Sequence, residues 1–150
     1  MRAVVQRARA ARVEVDGVVV GAIDAGLVAF VGAARGDEER DLAYVVDKVV
    51  NLRVLEDDAG KMSRSILDAS AGLLVVSQFT LLADLSRGRR PSFVDAMAPD
   101  EARAMLERFV AEARARGVAR VETGVFGADM RVFVENDGPV TILVDSRKPL

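Results

Sequence analysis

Ala3-Val4-Val5-Gln6-Arg7-Ala8-Arg9-Ala10-Ala11-Arg12-Val13-Glu14-Val15, closed by Asp16-Gly17 and answered by Val18-Val19-Val20-Gly21-Ala22-Ile23, decides how this chain is read. From Ala3 to Val15 apolar residues alternate with Gln or Arg, which is the two-residue period of a strand with one wet face. Asp-Gly between two such runs is a strong hairpin signal. A second turn at Asp24-Ala25-Gly26 leads into Leu27-Val28-Ala29-Phe30-Val31-Gly32, apolar on both faces and therefore expected at the centre of a sheet. The first third thus predicts three consecutive antiparallel strands.

Beyond it the period changes. Asp37 offers an N-cap to a helix from Glu38 to about Asn51, with Leu42, Val45, Val46 and Val49 as its buried stripe. Asp57-Asp58-Ala59-Gly60-Lys61 reads as a turn. Its two carboxylates argue only faintly for a metal, because the further oxygen ligands of a calcium loop are missing. Leu73 to Leu81 reads as a buried strand that ends polar, and a loop from Ala83 to Ala98 follows. A second helix begins at Pro99, a good first helical residue, buries Ala102, Met105, Leu106, Phe109 and Ala113, and stops at Gly117. Ala119 to Thr123, Arg131 to Glu135 and Val140 to Val144 complete the strands. The expected class is α+β, mainly antiparallel, with two principal helices in a single domain over residues 1–150.

Composition narrows the chemistry. Of 150 residues, 51% are hydrophobic and 29% charged, the profile of a soluble globular protein. No apolar run approaches the ~18–20 residues that span a bilayer. The opening residues lack a secretory apolar core, so a cytoplasmic location is expected. Cysteine and histidine are both absent, which excludes Ser-His-Asp triads, Cys-His dyads and conventional zinc sites. Catalysis would have to use carboxylates, lysine, hydroxyls, backbone dipoles or groups on the substrate. The net charge of −2 gives no global nucleic-acid footprint, yet Arg87-Gly88-Arg89-Arg90 is a compact basic loop whose guanidinium forks match phosphate oxygens.

Two segments stand out against this background. Ser77-Gln78-Phe79-Thr80 follows four aliphatic residues; on a strand Ser77 and Phe79 would face one way, Gln78 and Thr80 the other. Such polar groups at the end of a buried strand are either satisfied by neighbours or line a site. Thr80 is a weak candidate nucleophile, since a hydroxyl needs an adjacent base. Asn136-Asp137-Gly138-Pro139-Val140-Thr141 separates two strand-like runs; it reads as a hairpin turn, or as backbone that a ligand can approach closely.

Together these residues resemble the two signature motifs of the D-aminoacyl-tRNA deacylases, also called D-tyrosyl-tRNA deacylases. Gly88-Arg89-Arg90-Pro91-Ser92-Phe93, Gly124-Val125-Phe126-Gly127-Ala128-Asp129-Met130 and Val5-Gln6-Arg7 are similar to further family motifs, so the resemblance covers the whole chain. It implies a barrel-like fold and a homodimeric hydrolase, without a cofactor or metal, that cleaves the ester between a D-amino acid and the 3′ adenosine of tRNA. Glycine mischarged on tRNA is implied as a second substrate. Gly138 and Pro139 would form a cis Gly-Pro motif inserted into the partner's pocket to reject L-amino acids. Arg7 would hold that motif, Met130 would contribute to the substrate side, and Ser77, Gln78, Phe79 and Thr80 would line the pocket. Arg87, Arg89 and Arg90 are the candidate tRNA contacts. Two other readings follow from the residues alone. One is a non-catalytic RNA-binding module on the arginine loop, against which the 5% aromatic content argues. The other is a metal-dependent hydrolase on Asp57, Asp58 or Asp129.

Overall fold

A computed structural model describes residues 1–148. Strand β1 (Arg2–Val15) is the spine. Its second half pairs antiparallel with β2 (Val18–Ile23) and its first half with β3 (Gly26–Gly32), so the three expected strands are present in the order β2-β1-β3. Helix α1 (Glu39–Val50) follows. A short hairpin, β4 (Leu55–Glu56) and β5 (Met62–Arg64), and a single-turn helix α2 (Ile66–Ala69) lead to β6 (Gly72–Ser77). Then come helix α3 (Pro99–Ala115), β7 (Arg120–Thr123) and β8 (Arg131–Asp145).

The sheet is antiparallel where β1 meets β2, β3 and β8, as expected, and parallel only on its far side. β6 lies parallel to β3 and β7 parallel to β6, because α1 and α3 act as crossovers that return the chain to the same end of the sheet. β8 runs antiparallel to β1 along nearly its full length. The sheet almost closes into a barrel where β2 meets β7. There a Cβ on Gly21 would sit 2.3 Å from the Thr123 carbonyl oxygen, so only glycine permits the approach. Alternation in β3 and β6 fills both sides. Leu27, Ala29, Val31, Leu73 and Val75 pack with the stripes of α1 and α3, including a fully buried Phe109. Val28, Leu74 and Val76 face the other way, onto Ala8, Val13 and Ile23. The double-sided apolar run is therefore central, as its pattern requires.

Three local expectations are corrected. Glu38, not Asp37, caps α1, in a reciprocal arrangement with Asp41. Asp37 is instead buried against the α-ammonium of Met1 at 2.8 Å and accepts from the Ala34 N–H. The strand expected from Leu73 to Leu81 stops at Ser77, and Phe79–Leu82 form a 3-10 turn. Asn136–Thr141 is not a hairpin tip: both halves of β8 pair with β1, and four residues, Asp137 to Val140, bulge out opposite Arg7 alone.

Candidate active site

The end of β6 and the loops around it build a hollow of about 390 Å3. Its floor is the C-terminal end of β3, at Val31 and Gly32, and one wall is the first turn of α3, at Pro99 and Ala102. Ser77, Gln78 and Phe79 form the opposite rim. The loop after residue 83 folds back and is stitched to the segment after β3 by backbone bonds from Met97 N–H to the Ala33 carbonyl and from Arg35 N–H to the Asp95 carbonyl. That return brings Phe93 edge-on to Phe79, with ring centroids 5.0 Å apart, and Phe126 with Gly127 closes the far side. A second hollow of about 270 Å3 adjoins the first and shares Ser77, Leu106 and Phe126 with it; Arg103 lies over the Phe126 ring there.

Of the four residues expected on the rim, three line the hollow. Thr80 does not: it is exposed, and its hydroxyl oxygen accepts a hydrogen bond from the Gln78 side-chain amide. Phe79 keeps more than half its surface in solvent, an open aromatic face beside an apolar cavity. The N–H groups of Phe79 and Thr80 open the 3-10 turn and have no partner within it. Phe93 and Phe126 were quoted only as parts of motifs; the structure adds them to the wall. Three of the chain's six phenylalanines therefore meet here, so low aromatic content did not mean that a stacking surface was missing. A lone Phe within a polar loop was the signal available for Phe93.

The Gly138-Pro139 segment lies elsewhere. Its peptide bond is cis, and both residues are exposed on the bulge of β8. Arg7, itself buried, donates from Nε to the Asp137 carbonyl at 3.0 Å and from Nη1 to the Val54 carbonyl at 2.8 Å. Arg9 holds the Asp137 carboxylate at 3.2 Å, and the Asn136 side chain accepts from the Val140 N–H across the bulge. Arg7 pairs with Leu27 in register, whereas the hollow opens at Gly32, about 17 Å further along β3. One chain therefore does not bring the two motifs together. Met130 is half-buried against the core cluster that holds Val13 and Val76 and does not line either hollow; it sits behind Gly124, which does.

Arg87, Arg89 and Arg90 are exposed on a loop closed by the Asp84–Ser92 bridge. The Asp84 carboxyl is held below the usual carboxylate range by the Ser86 backbone N–H and hydroxyl, which fixes the base of the loop. One of the three carboxylates considered for a metal serves another purpose. Asp57 accepts from the Ala59 and Lys61 N–H groups and the Ser63 hydroxyl, and so shapes the β4–β5 turn. Among the described residues no three carboxylates converge, and no helix is long and apolar enough to cross a membrane.

Residues 4–145 match the family described as D-Tyr-tRNA(Tyr) deacylase. A D-aminoacyl-tRNA deacylase of Sorangium cellulosum is 62% identical over 149 residues, covering 99% of both chains. That of Aquifex aeolicus is 52% identical over 148 residues, again 99% of both. Among solved structures, the c-Myc DNA unwinding element binding protein superposes with a TM-score of 0.92 at 39% identity, covering 97% of this chain and 98% of that one. A probable eukaryotic D-amino acid tRNA deacylase, at 20% identity and a TM-score of 0.81, shares the fold. With the family's match running from β1 to the end of β8, this chain belongs to the D-Tyr-tRNA(Tyr) deacylase family.

Proposed function

We propose that this enzyme hydrolyses the ester of D-aminoacyl-tRNA, and of glycine mischarged on tRNA, in the cytoplasm, and spares L-aminoacyl-tRNA. The observation that carries the reading is the aromatic-walled hollow with Ser77, Gln78 and Phe79 on its rim, in a family member without histidine or cysteine. The 3′ adenosine stacks at the Phe79–Phe93 wall, which places the ester beside the 3-10 turn. Water adds to the acyl carbon, the N–H groups of Phe79 and Thr80 stabilise the oxyanion, and the ribose 3′ oxygen leaves with a proton. The 2′-hydroxyl next to the ester orients that water. The Thr80 hydroxyl takes no covalent part: its hydrogen-bond partner is an amide, which is no base.

Chirality is read by main chain. Carbonyls of Gly138 and Pro139 hold the substrate α-ammonium, leaving a D side chain pointing outward at any size. An L side chain then meets the carbonyl wall or leaves the ammonium unpaired, at a cost of about 1–3 kcal/mol or more for a charged group. Because the bulge and the hollow lie about 17 Å apart along β3, the wall of each site comes from a second copy of the chain. The exposure of the bulge on β8 supports this insertion. Arg87, Arg89 and Arg90 contact acceptor-stem phosphates.

Incubation with D-tyrosyl-, L-tyrosyl- and glycyl-tRNA, followed by measurement of free amino acid, tests the reading. Release from the D and glycyl esters with the L ester spared is the expected result. Binding of tRNA without release from any ester would replace it with an RNA-binding module, and loss of release in a chelator would revive the metal-dependent hydrolase.

A further inference from the structure

The 3-10 turn that continues the rim from Phe79 rests on a row of three residues, one from each of three adjacent strands. Asp145 on β8 pairs in register with Arg2 on β1, and Arg2 pairs in register with Gly32 on β3. The Arg2 guanidinium donates from Nε to the Asp145 carboxylate at 2.9 Å and from Nη1 to the Leu81 carbonyl, inside the turn, at 3.0 Å. Gly32 lies beneath the same turn. A Cβ there would stand 2.6 Å from the Gln78 carbonyl oxygen and 2.7 Å from Leu82 Cδ2, distances that real Cβ atoms do not adopt. The Gln78 N–H meanwhile bonds the Val31 carbonyl at 2.8 Å, so the turn cannot drift off β3 without breaking that ladder. Burial opposes ionisation of Asp145, but the Arg147 N–H and the hydrogen bond and charge of Arg2 outweigh it and hold the carboxyl below its usual range.

We infer that the Asp145–Arg2–Gly32 row sets the height and tilt of the Gln78–Leu82 turn, making Arg2 and Gly32 positioning residues for deacylation. This rests on the proposed hydrolysis at that turn. Missing side-chain bulk at Gly32 lets the turn sit directly on the sheet, and Arg2, oriented by Asp145, ties down its far end. A displacement of even an ångström at oxyanion donors is costly, since their worth depends on distances of 2.7–3.1 Å to the developing charge. Arg2 does not line the hollow, and Gly32 gives only backbone to its floor; the Cβ that Gly32 lacks would meet Gln78, Leu81 and Leu82, so each acts through the turn.

The test compares Gly32→Ala with Gly26→Ala on purified protein. Both lie on β3, and the added Cβ at Gly26 is more crowded, 2.0 Å from the Gly72 carbonyl oxygen, but far from the turn. Gly32→Ala should lower kcat on D-tyrosyl-tRNA by about tenfold or more with KM little changed, and should speed amide hydrogen exchange in the 78–83 peptide. Gly26→Ala should lower the melting temperature yet keep kcat within about twofold. Should Gly32→Ala not fold, Arg2→Met carries the test, with partial recovery of kcat in Arg2→Lys. Unchanged kcat and unchanged exchange in folded Gly32→Ala or Arg2→Met overturn the inference, as does an equal fall in kcat for Gly26→Ala. A wild-type protein that releases no D-amino acid would instead overturn the proposed function, leaving the exchange measurement as the readout of the seat.

Discussion

Replacing Arg7 by methionine isolates what holds the β8 bulge. Arg7 is 7% exposed, and its guanidinium spans two backbone carbonyls, Val54 at 2.8 Å and Asp137 at 3.0 Å. Methionine keeps much of the stem's apolar volume but donates nothing. Hydrogen bonds from a charged donor contribute about 1.5–3 kcal/mol each. Val54 is itself buried, so its carbonyl loses the full amount, whereas the Asp137 carbonyl on the part-exposed bulge regains water and loses less. The expected destabilisation is about 3 kcal/mol, or roughly 6–12 °C in Tm for a domain of this size. The contact of Arg7 with Glu56 adds little, since it is 4.0 Å long and Glu56 is 59% exposed.

The functional consequence is larger than the thermal one. With its Asp137 anchor gone, the bulge keeps the Arg9 and internal Asn136 contacts but loses its buried tie, so turnover of D-tyrosyl-tRNA should fall at least about tenfold while the protein stays folded at 25 °C. Arg7→Lys should recover about half the stability, because one ammonium cannot reach both carbonyls as a planar fork does. Denaturant unfolding followed by far-UV circular dichroism, together with D and L deacylation rates, measures both effects. An Arg7→Met protein within about 0.5 kcal/mol of the parent, with the same rate and the same D-over-L preference, would refute the reasoning.

Thr80→Ala should keep deacylation within about tenfold of the parent, because only an amide touches the hydroxyl; an acyl-enzyme trapped on Thr80 in the parent would contradict this. Gly138→Ala should impair D-substrate turnover: at φ +132° the added Cβ stands 2.9 Å from Val140 Cγ2 and 3.0 Å from the Val140 nitrogen, so the bulge must move. Unchanged kinetics would remove the bulge from the site. If each site is shared between two chains, mixing inactive Gly138→Ala and Phe79→Ala proteins should restore about a quarter of parental activity, since half the random dimers carry one intact site of two; no recovery argues for a site within one chain. Acid should destabilise the fold through Asp41 and Asp145. Burial opposes ionisation of both, yet hydrogen bonds and neighbouring positive charge leave both carboxyls below the ordinary range. Their contribution is therefore complete above the unfolded value near pH 4 and lost as pH falls through the lower folded values. Denaturant midpoints that rise below pH 4 would show the sign to be wrong.

The strands were legible where one face is wet. β1 follows from alternation and β2 from Asp16-Gly17, while β3 follows from the turn at Asp24-Ala25-Gly26 and its unbroken apolar run, and α3 from its Pro99 start and Gly117 stop. Polarity of pairing was not legible in the strands themselves, because a run apolar on both faces, such as β3 or β6, looks the same beside a parallel or an antiparallel neighbour. The information lay in the connections. A full helix between β3 and β6, and another between β6 and β7, is the length of chain a parallel crossover needs and far more than a hairpin uses. Reading Asn-Asp-Gly-Pro as a turn failed for a related reason: local turn chemistry is the same whether the chain reverses or bulges, and only the long partner β1, pairing with both halves of β8, distinguishes them.

The two candidate motifs show the same limit from the side of function. Ser77–Thr80 and Gly138-Pro139 each announce themselves locally, one as a sudden loss of apolar character, the other as a proline inside a strand pattern. What joins them is not local at all. Leu27 and Gly32 fix their separation through the register of one strand, and that strand is central and packed on both faces, so it does not fold one motif onto the other. Under the proposed function the two motifs serve one site, and a spacer of about 17 Å then makes closure by a second copy the economical route. The exposed bulge on β8 and the half-exposed Phe79 at the mouth of the hollow are the surfaces that the proposed second copy would cover.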